Sequence, residues 1–331
     1  MNTFLFAVNA IMPMILLIFL GYILKKKNFL DEQWFKKGNK LIFRICLPVL
    51  LFVNVYNIES FKAIDWNVVL YSEVAIFVIF VMGLLLVKFF IPDEKQKGVI
   101  LQCVFRSNFA IIGIPLAETL GGVAGVGIAA VLSAFSIPTF NILAVVALSM
   151  YKRDENGKKV SLFGCLKTIA KNPLIWGVLC GLIVLLIRSF IPLNTNGELA
   201  FSISRDLPFV YTALGNVAKI CSPLALIILG GLFDFSAVKE LRKQIVIGTM
   251  ARVVVVPAAV LFVAVLLDFD SSVYPALVAL FGSPVAVSSA IMAQEMDNDG
   301  VLAGQLVVWT SISSIFTIFV MVVILRSIGL L

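Results

Sequence analysis

Two apolar stretches of the sequence carry the residues best suited to chemistry. Residues 106–116 read Arg106-Ser107-Asn108-Phe109-Ala110-Ile111-Ile112-Gly113-Ile114-Pro115-Leu116, and residues 281–289 read Phe281-Gly282-Ser283-Pro284-Val285-Ala286-Val287-Ser288-Ser289. Proline lacks an N–H and its ring clashes with the preceding turn, so each helix is expected to break at its Gly-x-Pro step. A break at bilayer depth survives only where it lines a cavity or is buried in protein. The half-helix that follows starts with unpaired N–H groups and a positive dipole end, which together attract an anion. Asn108 adds an amide that can donate to a carboxylate without the desolvation cost of a buried cation. Arg106 adds a full charge, able to attract a dianion, to pair with Glu73, or to reach the interface. The plainer readings are a proline kink and ordinary interhelical hydrogen bonds. The expected substrate-binding set is Asn108, Gly113, Ile114, Pro115, Gly282, Ser283, Pro284, Val285 and Arg106. Glu73, Glu118 and Glu295 are candidates for ion or proton coupling, the latter two flanking the breaks on their C-terminal sides. Lys219 and Arg252 are further candidates for internal pairs.

Other polar residues could wet a cavity between helices: Ser283, Ser288, Ser289, Thr310, Ser311, Ser313, Ser314, Asn141 and Gln305, with Asn54 facing it from another helix. The glycine run Gly121–Gly127 lacks the lysine and hydroxyl residue of a phosphate loop, and reads as a short turn with close helix packing. The same packing reading suits Gly177 and Gly181.

What is missing narrows the chemistry. The 331 residues include no histidine, which removes histidine triads, histidine metal sites and histidine proton relays. The five cysteines are not at zinc or redox spacing and read as small apolar fillers. No adjacent aspartates lie in an apolar segment, which argues against ion exchange as the main activity. Neither a metal nor an organic cofactor is expected. Apolar residues make up 61% of the chain and charged residues 14%, against about 25% charged in a soluble domain. That composition excludes a soluble enzyme, a disordered chain and a nucleic-acid-binding domain, despite a net charge of +7.

The residues above must be positioned by membrane helices. About 20 apolar residues span a bilayer core. Ten such segments are predicted: Phe4–Leu24, Lys37–Tyr56, Trp66–Ile91, Gly98–Leu120, Val123–Met150, Pro173–Ile191, Pro208–Phe233, Lys243–Leu267, Ser271–Met296 and Val301–Leu331. Six basic residues follow the first segment, two the third, six the fifth and three the seventh. The opposite side has only Lys62, Arg188, Arg205 and Arg326. Basic loops stay in the cytoplasm, which predicts both termini outside. The first lysines follow the first apolar run, so no signal peptide is expected.

The halves resemble each other. Pro13 and Gly21 match Pro173 and Gly181, Ile45-Cys46-Leu47-Pro48 matches Ile220-Cys221-Ser222-Pro223, and Gly113-Ile114-Pro115 matches Gly282-Ser283-Pro284. Five segments per half is an odd number, so the second copy must lie inverted, as in many secondary transporters. The expected fold is an all-α membrane protein of ten transmembrane helices, two inverted five-helix repeats with broken, crossing helices four and nine. The expected boundaries are 1–150, a cytoplasmic linker 151–172, and 173–331.

These stretches resemble the auxin efflux carrier family, which includes plant auxin exporters and bacterial malate and malonate permeases. The likeness rests on Arg106–Leu116, on Pro284 with Ala293-Gln294-Glu295-Met296 and Thr310-Ser311-Ile312-Ser313-Ser314, and on Leu47-Pro48-Val49-Leu50-Leu51-Phe52. It implies a scaffold domain of helices one, two, six and seven, a transport domain of helices three to five and eight to ten, and an elevator-like movement between them. It also implies a homodimer, a sodium/proton antiporter-like fold, and substrate contact by Asn108. The short central loop resembles bacterial members, so loop-phosphorylation control is not implied.

The expected function is secondary transport of small organic anions, dicarboxylates such as malate or malonate first. The alternatives are export of an auxin-like aromatic monocarboxylate, or a membrane sensor on a transporter scaffold. The expected partners are the anion, the lipid bilayer of a bacterial cell (inner) membrane and a second copy of the chain, with no nucleic acid.

Overall fold

The computed structural model describes residues 2–57, 66–151, 170–192, 200–234 and 236–331. Most of the predicted central linker, together with Lys62 and Cys165, lies outside the described residues. The main helices are α1 (Asn2–Lys26), α2 (Glu32–Tyr56), α3 (Trp66–Phe90), α4 (Glu94–Phe105), α5 (Phe109–Met150), α6 (Pro173–Phe190), α7 (Pro208–Leu232), α8 (Arg242–Leu266), α9 (Tyr274–Gly282), α10 (Ser288–Glu295) and α11 (Gly300–Ser327). No β-strand occurs among the described residues.

Among the described residues six helices, α2, α3, α5, α7, α8 and α11, are long and apolar enough to cross a membrane. Their outer faces carry bare large hydrophobes, such as Phe77, Val81 and Met82 on α3 and Phe316, Val320 and Val323 on α11. Side chains in that number on an outer surface fit contact with lipid. The chain is a multi-pass membrane protein. Helix starts are set by short polar caps. Asp31 accepts from the Trp34 N–H at 2.7 Å, Asn172 from Leu174 at 2.9 Å, and Asp299 from Leu302 at 2.9 Å.

Two bundles of contact are evident. Helix α1 runs along α7, and α2 along both α6 and α7. Glycines allow these approaches: a Cβ on Gly21 would collide with the Ile227 carbonyl, one on Gly230 with the Ile18 carbonyl, and one on Gly181 with Val55. The second group packs α5 on α9, α3 on α4, and α11 on α8 and α10. Gly122, at φ +57°, bends α5 between its first turns and its long second part. Its neighbours Gly121 and Gly125 lie against Pro275 and the Ala117 carbonyl. The turn-and-packing reading of the Gly121–Gly127 run therefore holds.

The break in the fourth segment is not at Gly113-Ile114-Pro115, as the sequence predicted. It lies at Arg106–Asn108, between α4 and α5. Gly113 closes a π turn over Phe109–Gly113, and Pro115 sits in the first turn of the α-helix after it. Two other π turns do the same: Ile42–Cys46 precedes Pro48, and Ala251–Val255 precedes Pro257. A widened turn makes room for the proline ring and removes the need for its missing N–H. Proline here swells the helix instead of breaking it. In the ninth segment the break falls where predicted, at Ser283–Val287 between α9 and α10.

Candidate functional site

The two breaks meet. Ser107 and Val285 form an isolated antiparallel bridge, and the Asn108 N–H donates to the Pro284 carbonyl at 2.8 Å. Val285 donates its own N–H to Thr310 Oγ1 at 3.3 Å, which ties the second break to α11. Two extended segments buried in protein are thus tied together through their main chains, which gives the broken helices partners for backbone groups they leave unpaired.

Beside the bridge lies a cavity of about 230 Å³. One wall comes from α2 (Leu47, Leu50, Leu51, Asn54) and α7 (Cys221, Ser222, Ala225). The facing wall comes from Arg106, Ser107 and Asn108, the first turns of α5 and α10 (Ala110, Ile111, Ser288), and Phe140 and Asn141. First-turn N–H groups have no intrahelical acceptor, so both half-helices present partial positive charge here.

Arg106 supplies the full charge. It is 3% exposed, and it donates to Asn141 Oδ1 at 2.7 Å, to Ser288 Oγ at 2.8 Å and to the thioether of Met292. All three partners are neutral. The ion pairs of the described residues, such as Lys36–Glu32 and Lys97–Glu94, lie elsewhere, and Arg106 does not pair with Glu73. An unpaired buried cation costs several kcal/mol even after relaxation. Asn108 is also 3% exposed, and its side-chain amide donor has no partner, nor has the Ser107 hydroxyl. The wall therefore holds one cation and idle donors with no carboxylate. A wall of that make-up suits an anion better than a cation.

A family model described as a membrane transport protein matches residues 6–322. The chain belongs to the auxin efflux carrier family. The family is one of membrane transporters, and the carrier is not an enzyme. The uncharacterized transporter YfdV of Escherichia coli K12 is 23% identical over 296 residues, covering 88% of this chain and 89% of that protein. Proteins of the same name from Escherichia coli O157:H7 and Shigella flexneri match to the same extent.

Of the residues the sequence singled out, the carrier brings Arg106 and Asn108 to the cavity wall, with Asn54, Asn141 and Ser288. Gly113, Ile114, Pro115, Gly282, Ser283, Pro284 and Val285 do not line it. Gly113 instead permits the contact of α5 with α9, since a Cβ there would meet the Phe109 ring and the Ala279 carbonyl. Ser283 hydrogen-bonds back to the Ala279 carbonyl at 2.6 Å, and Pro284 and Val285 hold the crossing.

The three acidic candidates are dispersed. Glu73 on α3 accepts from Ser136 at 3.0 Å and Thr139 at 2.7 Å. Glu118 is exposed. Glu295 accepts from Asn39 at 2.7 Å and lines a separate polar cavity of about 650 Å³ with Lys25, Lys36 and Lys40. Sequence reasoning missed Ser107, Ala110, Ile111, Cys221 and Ser222 as wall residues. A signal existed for the last two, because they belong to the Ile-Cys-x-Pro motif recognised only as a repeat marker.

Proposed function

We propose that the carrier is a secondary transporter of small organic anions, which dock against Arg106, Asn108 and the N-termini of α5 and α10. The observation that carries this reading is Arg106, a buried guanidinium lining a cavity with only neutral partners. Intramembrane charges are costly and mark substrate paths. Dicarboxylates such as malate or malonate come first, since one cation and two helix dipoles can share two negative charges. The apolar wall of Leu47, Leu50, Leu51 and Phe140 favours a second reading, an aromatic monocarboxylate of auxin type.

The mechanism we propose is alternating access by an elevator. The cavity lies between helices α2 and α7 on one side and the crossing on the other, which fits a scaffold (α1, α2, α6, α7) and a transport body (α3–α5, α8–α11). In this reading α4 with the first turns of α5 forms one span, the rest of α5 the next, and α9 with α10 another. That gives ten spans in two inverted halves, 1–150 and 173–331. The basic ends of α1 and α2 face the cytoplasm of a bacterial cell, both termini lie outside, and the carrier works as a homodimer. An inside-negative potential then drives anions outward, at about 2.3 kcal/mol per charge per 100 mV.

The test is current and radiotracer counterflow in proteoliposomes, with malate, malonate, succinate and indole-3-acetate in turn. A saturable signal for one class, lost in Arg106→Gln, is expected. Saturable transport only of cations or neutral solutes would overturn the reading.

A further inference from the structure

Arg252 has no exposed surface and stands behind the crossing, outside the substrate cavity. It rises from the π turn Ala251–Val255 of α8. Its donors reach only backbone carbonyls. Nε and Nη2 donate to Ser283 O at 3.1 and 2.8 Å, Nη2 reaches Leu280 O at 3.4 Å, and Nη1 reaches Val104 O at 3.5 Å. Leu280 and Val104 belong to the last turns of α9 and α4, whose carbonyls have no intrahelical donor, and Ser283 follows directly. Both helices end with their negative dipole ends turned toward this one point. No ion pair of Arg252 occurs among the described residues.

Carbonyl oxygens converging from two broken helices form the type of ligand set that receives a bare alkali cation. Here a guanidinium fills it. We propose that Arg252 is a tethered cation, occupying the place an alkali ion would take between the two half-helix C-termini and making the carrier independent of Na⁺ and K⁺. The covalently held charge neutralises the negative ends of α4 and α9. The positive ends of α5 and α10, with Arg106, are then left uncompensated on the cavity side, so the crossing prefers anions. Arg252 is a positioning residue, since it acts on the site through backbone it shares with Ser283 and does not touch the cavity.

The melting temperature of purified carrier in N-methylglucamine chloride, with Li⁺, Na⁺ or K⁺ added, reads this role without knowledge of the substrate. Wild type and Arg252→Lys are expected to melt alike in every salt. Arg252→Gln is expected to melt lower and to recover by several degrees, saturably, with one alkali ion. The transport arm rests on the anion-transporter reading above. Wild-type flux should change less than twofold when alkali ions are replaced, while Arg252→Gln should gain at least fivefold from the ion that restores its melting. Overturning results are saturable Na⁺ or K⁺ dependence of wild-type melting or flux, an Arg252→Gln protein indifferent to all three ions, or one that folds in none of them. Silence of every anion tested, with the melting pattern intact, defeats the anion reading and leaves the tethered cation standing.

Discussion

The backbone N–H of Asn108 donates to the Pro284 carbonyl at 2.8 Å, so one broken helix supplies the hydrogen bond that the other lacks. That bond uses the main chain of Asn108 and leaves its side-chain amide idle at the cavity wall. The two roles can be separated by mutation.

Asn108→Ala keeps the backbone bond and removes only the idle donor. A hydrogen bond to a charged group contributes about 1.5–3 kcal/mol, so anion affinity should fall about 10–100-fold with little change in melting temperature. Equilibrium binding of the transported anion measures this. Unchanged affinity would remove Asn108 from the site.

Arg106→Gln should abolish anion flux while leaving the protein as stable as wild type or more so. Removing a buried cation that has no counter-ion relieves a desolvation cost of several kcal/mol, against about 1–3 kcal/mol for each of the Asn141 and Ser288 oxygens left without their donor. Parallel flux and thermal-shift measurements check both halves. A variant that transports normally would show that Arg106 is not the anchor.

The two prolines should differ, although the sequence treats them as equivalents. Pro284→Ala restores an N–H and lets α9 continue, which withdraws the Pro284 carbonyl from Asn108, so flux should drop at least tenfold. Pro115→Ala lies in a formed helical turn and should stay within about twofold of wild type. Equal losses at both positions would contradict the placement of the first break.

Gly230→Val should prevent the α1–α7 contact, because its Cβ would meet the Ile18 carbonyl, whereas Gly215→Ala has open space and should be silent. Overpacking of this kind costs about 1–3 kcal/mol or more. Yield of monodisperse protein and melting temperature give the comparison. A well-behaved Gly230→Val protein would disprove the close approach.

Much of this was legible in the sequence. Long apolar runs marked the membrane class, and the second break was placed at Gly282-Ser283-Pro284 because proline ends a helix, as it does there, where no π turn absorbs it. The first break was misplaced for the opposite reason. A π turn over Phe109–Gly113 absorbs Pro115, and the sequence does not distinguish a proline that swells a helix from one that ends it. Arg106 and Asn108 were found by type, since charge and amide are rare in apolar segments. The facing wall of Leu47, Cys221 and Ser222 was not, because the motif that holds them reads as a repeat marker and gains its role only from what it opposes. Arg252 was flagged as a charge seeking a partner, and backbone carbonyls are partners that side-chain pattern cannot reveal.

The crossing also bears on biosynthesis. The first broken segment leaves the ribosome with Arg106 and the Asn108 N–H, while Pro284, Ser288 and the rest of their partners are still to be translated. An insertion intermediate holding only the first half therefore has Asn141 for Arg106 but lacks Ser288, Met292 and the Pro284 carbonyl that meets the gap in its helix. Until the last third of the chain arrives, that half depends on the translocon, on water or on a chaperone to shelter the segment. Truncation after α5 should make it a substrate for membrane quality control.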